Sequence, residues 1–190
     1  RKAADAGLAG LEFAAGIPGS AGGAVAMNAG AFGSSKGDVV REVECILPSG
    51  EARTLAGPHM AFAYRHSRAL AEPMILVGAR LALTPDNADA IRRRTADYQA
   101  QRKARQPLTS WSAGSVFRNP PGDAAGRLIE AAGCKGMKRG GALVSPKHAN
   151  FIVNVGGATA ADVVGLMRQI QQHVQDMFGV HLEPEIKLLG

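Results

Sequence analysis

Cysteine is scarce in this chain. Cys45 and Cys134 are its only two, they form no C-x-x-C pair, and neither a disulfide framework nor a zinc site is expected; both read as small core residues. Aromatic residues are equally few, at 5%, with no interleaving of rings and cations of the kind that stacks single-stranded bases. The net charge of +6 is therefore read as a preference for a small anionic ligand, a nucleotide sugar or a phosphorylated cofactor, rather than for nucleic acid. Long apolar runs are missing too. The longest, Met74 to Val77 and Phe151 to Val153, are far too short for a bilayer, and no charged-then-apolar signal segment opens the sequence, so neither membrane nor secretion is expected and the cytoplasm is the expected compartment. No metal motif such as H-E-x-x-H occurs, and no metal is expected. Internal repeats and low-complexity tracts are lacking.

What is present is 190 residues with 46% hydrophobic side chains, enough for one good core or two small lobes. The chain opens at Arg1 without a methionine, in what reads as the middle of a domain, and a fragment is expected. From Gly7 to Gly37 it is rich in Gly and Ala and almost uncharged, centred on Gly16-Ile17-Pro18-Gly19-Ser20-Ala21-Gly22-Gly23-Ala24. This reads as a tight loop entering a small-residue helix. Its glycines either let backbone N–H groups approach a ligand or let two backbones pack closely. Val39 to Leu47 and Glu51 to Leu55 form a hairpin about Pro48-Ser49-Gly50, and Met74 to Leu83 is a further strand. Asp86 to about Arg105 is helical and strongly basic; it marks a boundary between lobes, and its charges are either a solvated face or partly engaged with an anionic ligand.

Gly114-Ser115-Val116-Phe117-Arg118-Asn119-Pro120 presents a hydroxyl on a glycine turn with a cation and an amide close behind. Nothing of the form G-x-S-x-G surrounds Ser115 and no base is evident, so the hydroxyl is better placed to give a proton to a developing carbanion than to attack a carbonyl. Beyond it, Ala125 to Ala132 reads as a helix closed by Gly133, and His148 to Val155 as a strand. Thr159 to Asp162 caps a long helix with a core stripe of Val163, Met167, Ile170, Val174 and Met177 up to Gly179. Val180 to Leu189 reads as a final strand, on which one of Glu183 and Glu185 faces solvent and the other inward.

Four separated segments together, Gly16 to Gly33, Tyr64-Arg65-His66-Ser67, Gly114 to Pro120 and Leu182-Glu183-Pro184-Glu185-Ile186-Lys187, resemble the UDP-N-acetylenolpyruvoylglucosamine reductase (MurB) family. Gly140 to Ser145 and His148 to Asn154 add further similarity. The resemblance runs from about Leu8 to Gly190. It implies an α+β fold of two lobes: residues 1–87 as the remainder of an FAD-binding domain of the PCMH/VAO type, and residues 88–190 as a smaller α/β substrate-binding domain. It implies FAD as cofactor and NADPH as reductant. The implied reaction reduces the enolpyruvyl double bond of UDP-N-acetylglucosamine enolpyruvate to give UDP-N-acetylmuramate for peptidoglycan, on a monomeric enzyme. Residue by residue, Arg65 matches the family's arginine, Ser115 its proton donor and Glu185 its active-site glutamate. Gly16, Ile17, Pro18, Gly19, Ser20, Gly22, Gly23, Asn28, Ala29 and Gly30 match its flavin-side segment. Tyr64, Lys103, Asn119 and Lys187 match places that contact the nucleotide sugar.

Taken singly, these residues have plainer readings: Arg65 as a surface ion pair, Ser115 as a structural turn. There are departures as well. Trp111 stands where relatives usually have a proline, no lid-loop insertion follows Ser67, and the family's pyrophosphate-binding loop falls upstream of Arg1. Two other readings stay open: a different flavin-dependent oxidase or dehydrogenase of the same architecture, which would not need Ser115, and a basic, non-catalytic nucleotide-binding module.

Overall fold

The computed structural model describes residues 1–188 and divides the chain into two compact units, Arg1–Arg102 and Lys103–Gly190. Unit 1 contains, in order, α1 (Lys2–Asp5), β1 (Leu8–Ala9), α2 (Ala21–Ala26), β2 (Gly30–Ala31), β3 (Ser34–Ser35), β4 (Val40–Ile46), β5 (Ala52–Ala56), α3 (Arg68–Ala71), β6 (Ile75–Leu81) and β7 (Thr84–Pro85). The long helix α4 (Ala88–Arg105) follows, its residues through Arg102 belonging to this unit. Unit 2 contains β8 (Trp111–Ser115), α5 (Ala125–Ala131), β9 (Lys138–Arg139), β10 (Ala142–Val144), β11 (Phe151–Asn154) and α6 (Ala160–Phe178). The mixture of helices with antiparallel sheets is an α+β arrangement, as the sequence leads one to expect.

The expected hairpin is β4 and β5, with Val43 opposite Leu55 and the turn closed by Gly50 N–H to the Leu47 carbonyl, 2.9 Å. Strand β6 pairs on the other side, giving the order β5-β4-β6. Val40, Val43 and Cys45 turn inward, and Val25 of α2 and Met60 join the core beneath them.

Helix α4 stays with unit 1 because of what it touches there. Only Ile91 of this helix is buried. Arg94 donates to Glu12 from Nε at 3.0 Å and from Nη2 at 2.8 Å, and Arg92 reaches Asp5. The division between the two units falls between Arg102 and Lys103, later than residues 87 and 88, and Arg92 and Arg94 at the start of the basic helix are paired.

In unit 2 a four-stranded antiparallel sheet, β8-β11-β10-β9, is covered by α5 and α6. Helix α6 begins at the expected cap, where Thr159 Oγ1 accepts from Asp162 N–H and the Asp162 carboxylate accepts from Thr159 N–H, and it ends at Gly179 in the left-handed region. Its buried face is Leu166, Met167, Ile170 and Val174. Met177 is 58% exposed, so the expected stripe loses its last member and gains Leu166. No strand forms over the described part of Val180 to Leu189, and Leu189 itself lies outside the described residues. The segment is extended and touches the sheet through one isolated bridge, Phe117 to Pro184; Pro184 has no N–H with which to continue a ladder.

Candidate active site

In unit 1 the glycine-rich loop enters α2 through Ser20, whose Oγ accepts from Gly23 N–H at 3.0 Å. Gly19 has φ +127°, a backbone region that only glycine visits at low cost. The loop and β6 enclose a cavity of about 330 Å³, within the usual size of a ligand site. Of the ten expected flavin-side residues, Ile17, Pro18, Gly19, Ser20, Gly22 and Ala29 line it, facing Leu76, Val77 and Gly78. The other four have duties in the fold. Gly23 gives its N–H to the Ser20 cap of α2, and Gly16 packs under Arg102. A Cβ on Gly30 would stand 2.7 Å from the Ser34 carbonyl. Asn28 spends its side chain on the backbone, donating from Nδ2 to the Ala63 carbonyl at 2.9 Å and accepting at Oδ1 from Gly37 N–H at 2.7 Å.

Those bonds lead to the arginine. Tyr64 and Arg65 are the two central residues of a tight turn in which Ala63 and His66 exchange both backbone hydrogen bonds at 3.1 Å. Arg65 sits at φ +53°, where a residue with a Cβ is strained and must be held by its surroundings. Two side chains do the holding. Asn28 is one; the other is fully buried Ser67, whose Oγ donates to the Ala26 carbonyl at 2.6 Å. The arginine turn is thus bolted to the end of α2, on the same body as the cavity. The guanidinium carbon of Arg65 lies 5.0 Å from the Tyr64 ring centroid.

In unit 2, Ser115 is the last residue of β8, opposite Phe151 of β11. It is half-buried and preceded by Gly114 at φ +89°, where nothing lies within 4 Å of the place a Cβ would take. The next residues are clamped from two sides. Buried Asn150 accepts from Phe117 N–H at 2.9 Å and donates to the Phe117 carbonyl at 2.8 Å, replacing a strand with a side chain. On the other side Glu185 N–H donates to the Val116 carbonyl at 2.8 Å and Arg118 N–H to the Glu183 carbonyl at 2.9 Å. Ser115 and Glu185 are therefore brought together on adjoining backbones. Glu183 is the solvent-facing acid, its side chain 70% exposed, while Glu185 is half-buried.

The expected sugar contacts are less gathered. Asn119 Oδ1 accepts from Ala125 N–H at 3.0 Å, satisfying the start of α5. Lys103 and Lys187 are exposed, and the Lys103 carbonyl accepts from Lys147 Nζ at 2.6 Å.

Sequence reasoning missed three residues. Lys36 lines the cavity, with its ammonium 5.5 Å from the Phe13 ring centroid and its pKa pushed down by burial. Asn150 stands undistinguished within the segment His148 to Asn154. Arg102 was one cation among many on a basic helix. No local signal marks them, because each acquires its role from partners distant in sequence.

A small-residue cavity on the same unit as a strained arginine turn, followed along the chain by a unit in which the Ser115 and Glu185 segments pair, defines a two-unit α+β protein with a candidate ligand site. Residues 1–56 match the profile described as FAD binding domain, and residues 106–189 match that described as UDP-N-acetylenolpyruvoylglucosamine reductase, C-terminal domain. The chain is 50% identical to the UDP-N-acetylenolpyruvoylglucosamine reductase of Gluconobacter oxydans over 188 residues, 99% of this chain and 61% of that protein. It is 47% identical to that of Limosilactobacillus reuteri over 188 residues, 99% of this chain and 63% of the relative. A crystal structure of UDP-N-acetylenolpyruvylglucosamine reductase from Thermus caldophilus superposes with a TM-score of 0.85 at 41% identity, covering 98% of this chain and 67% of that one. The chain belongs to the UDP-N-acetylenolpyruvoylglucosamine reductase family, and it spans about three fifths of the length of the curated relatives it matches.

Proposed function

We propose that this protein is a UDP-N-acetylenolpyruvoylglucosamine reductase, using FAD and NADPH to convert UDP-N-acetylglucosamine enolpyruvate into UDP-N-acetylmuramate for peptidoglycan. The observation that carries the reading is the backbone pairing of the Ser115 and Glu185 segments in the unit that matches the family's C-terminal profile. The flavin-side residues fit the cofactor: the cavity is walled by small residues that let a flat ring approach the backbone, and its surroundings carry Lys36 and Arg102 as cations for a dinucleotide. Ile17 to Ala29 would hold FAD, which supplies hydride to the terminal vinyl carbon after reduction by NADPH.

The chain's own residues have the remaining work. As negative charge builds on the adjacent carbon and its carboxylate, the Arg65 guanidinium pairs with that carboxylate; at roughly 4 Å and an effective dielectric near 20 such a pair is worth about 4 kcal/mol. Ser115 gives its hydroxyl proton to the carbanionic carbon, and Glu185 shares a proton with the intermediate. Tyr64, Lys103, Asn119 and Lys187 contact the nucleotide sugar, the two lysines through its negative oxygens. We place it in the cytoplasm as a monomer acting on a water-soluble nucleotide sugar; no helix among the described residues is long and apolar enough to cross a membrane.

Rapid mixing of the two half-reactions tests this. Ser115→Ala is expected to leave flavin reduction by NADPH nearly unchanged and to slow flavin oxidation by the enolpyruvyl substrate about 10²–10⁴-fold. Equal slowing of both steps would remove Ser115 from the donor role.

A further inference from the structure

Helix α4 carries a cation that its own unit does not use. Its neighbours on the helix are paired, Arg92 with Asp5 and Asp89, Arg94 with Glu12 and Asp86. At Arg102, by contrast, Nε and Nη2 are buried and have no hydrogen-bond partner among the described residues. Its position at the C-terminal end of α4 favours a positive charge, but that supplies no acceptor for two buried donors. Leaving such donors unspent is costly.

The placement of this side chain is deliberate in a physical sense. Its guanidinium carbon lies 5.6 Å from the centroid of the Phe32 ring. Phe32 stacks in turn on Tyr98, with centroids 4.3 Å apart and planes 11° from parallel. Phe32 holds φ +53° in the turn between β2 and β3, a conformation an aromatic residue keeps only when its surroundings impose it. The Arg102 stem runs 3.5 Å from where a Cβ on Gly16 would stand, so the loop that goes on to line the cavity begins against this arginine. Burial lowers the Arg102 pKa, and no acid beside it offsets that.

We propose that Arg102 is an anion-binding residue of the flavin site, its fork of N–H groups donating to a negatively charged oxygen of the bound dinucleotide. The inference rests on the flavoprotein reading above. Two parts of FAD present that chemistry: the diphosphate, and the N1–C2=O edge of the ring, which becomes anionic when an electron pair or a nucleophile is added.

The test uses the protein as the cell makes it, with arginine, Arg102→Lys or Arg102→Met at this position. Two quantities are read. One is the FAD dissociation constant from flavin fluorescence. The other is the affinity of the bound flavin for sulfite, whose lone pair adds to N5 and leaves the negative charge at N1–C2=O. Arg102→Met is expected to weaken one or both by about 10- to 100-fold, with Arg102→Lys, which keeps the charge and loses the fork, in between. A fall in FAD affinity alone assigns the diphosphate; a fall in sulfite affinity assigns the ring edge. Should Arg102→Met fail to fold, Arg102→Lys decides on the same two readings. Variants that differ from arginine only in melting temperature would overturn the proposal, leaving Arg102 a packing residue. A protein with arginine at this position that binds no FAD would overturn the flavoprotein reading itself, and this inference with it.

Discussion

Ser115 takes its character from what surrounds it rather than from an activating base. The half-buried imidazole of His148 accepts the Asn150 N–H at Nδ1, 3.2 Å, and burial, followed by the nearby Lys135, holds its pKa below the usual value. Asn150 matters more to the serine strand. Its amide satisfies both the N–H and the carbonyl of Phe117, and Phe117 is 1% exposed, so water cannot replace the lost partner. Asn150→Ala is expected to cost roughly 2–6 kcal/mol, from two buried groups at about 1–3 each, measured as a lowered urea midpoint. A change below about 0.5 kcal/mol would mean the strand holds without it. Ser67→Ala in the arginine turn removes one buried bond and is expected to cost about 1–3 kcal/mol by the same measurement.

At the scale of elements, an acid just before α5, Asp123, and one in the first turn of α6, Asp162, are held in their ionised form by hydrogen bonds. Asp123 is held down to about 2, first by its hydrogen bond with Arg127 and then by Ala124 N–H. Asp162 is lowered by Thr159, first through its N–H and then its hydroxyl. A carboxylate whose folded pKa lies below its unfolded value, about 3.9 for Asp, contributes stability that is fully present above pH 4. That contribution is lost as the pH falls toward the folded value, near 2 for Asp123. Melting followed by circular dichroism is expected to show a Tm that is flat from pH 7 to 5 and falls steeply between pH 4 and 2. Thr159→Ala removes the α6 cap at a cost of about 1 kcal/mol and is expected to make that fall slightly shallower, because Asp162 loses the hydroxyl, the second of the two Thr159 groups that lower its pKa, while the N–H remains. An unchanged pH slope would place the acid sensitivity elsewhere.

The two units differ in how much they bury. Among the described residues the unit 2 core joins sixteen buried side chains from both helices and the sheet, whereas the β4–β6 cluster of unit 1 joins four. Apolar burial is the main favourable term in folding, roughly 25 cal/mol per Å², so unit 2 is expected to hold the more stable part of the chain. Peptide-resolved hydrogen exchange is the check. Slowest exchange in β10, β11 and α6, with faster opening in β4 to β6, is the expected pattern; the reverse order would show that the smaller cluster is reinforced by something beyond its own packing.

Much of this was legible in one dimension. The capping box before α6, its period of 3.6, the β4–β5 hairpin about Pro48 to Gly50 and the small-residue loop entering α2 are local patterns, set by side-chain spacing and backbone preference within a turn or two of chain. The motif segments around Gly16, Arg65, Ser115 and Glu185 were legible for the same reason. What no local pattern carries is the partner. Asn28 reaches Ala63 across 35 residues, Ser67 reaches Ala26 across 41, and Asn150 reaches Phe117 across 33; the segment after Val180 lies against Phe117 through a single bridge. An asparagine, a buried serine and an arginine look alike in sequence whether they face water or hold a strained turn. Their roles are fixed when folding removes water and leaves each polar group with the few partners that the fold brings to it or, for two of the Arg102 N–H groups, with none among the described residues.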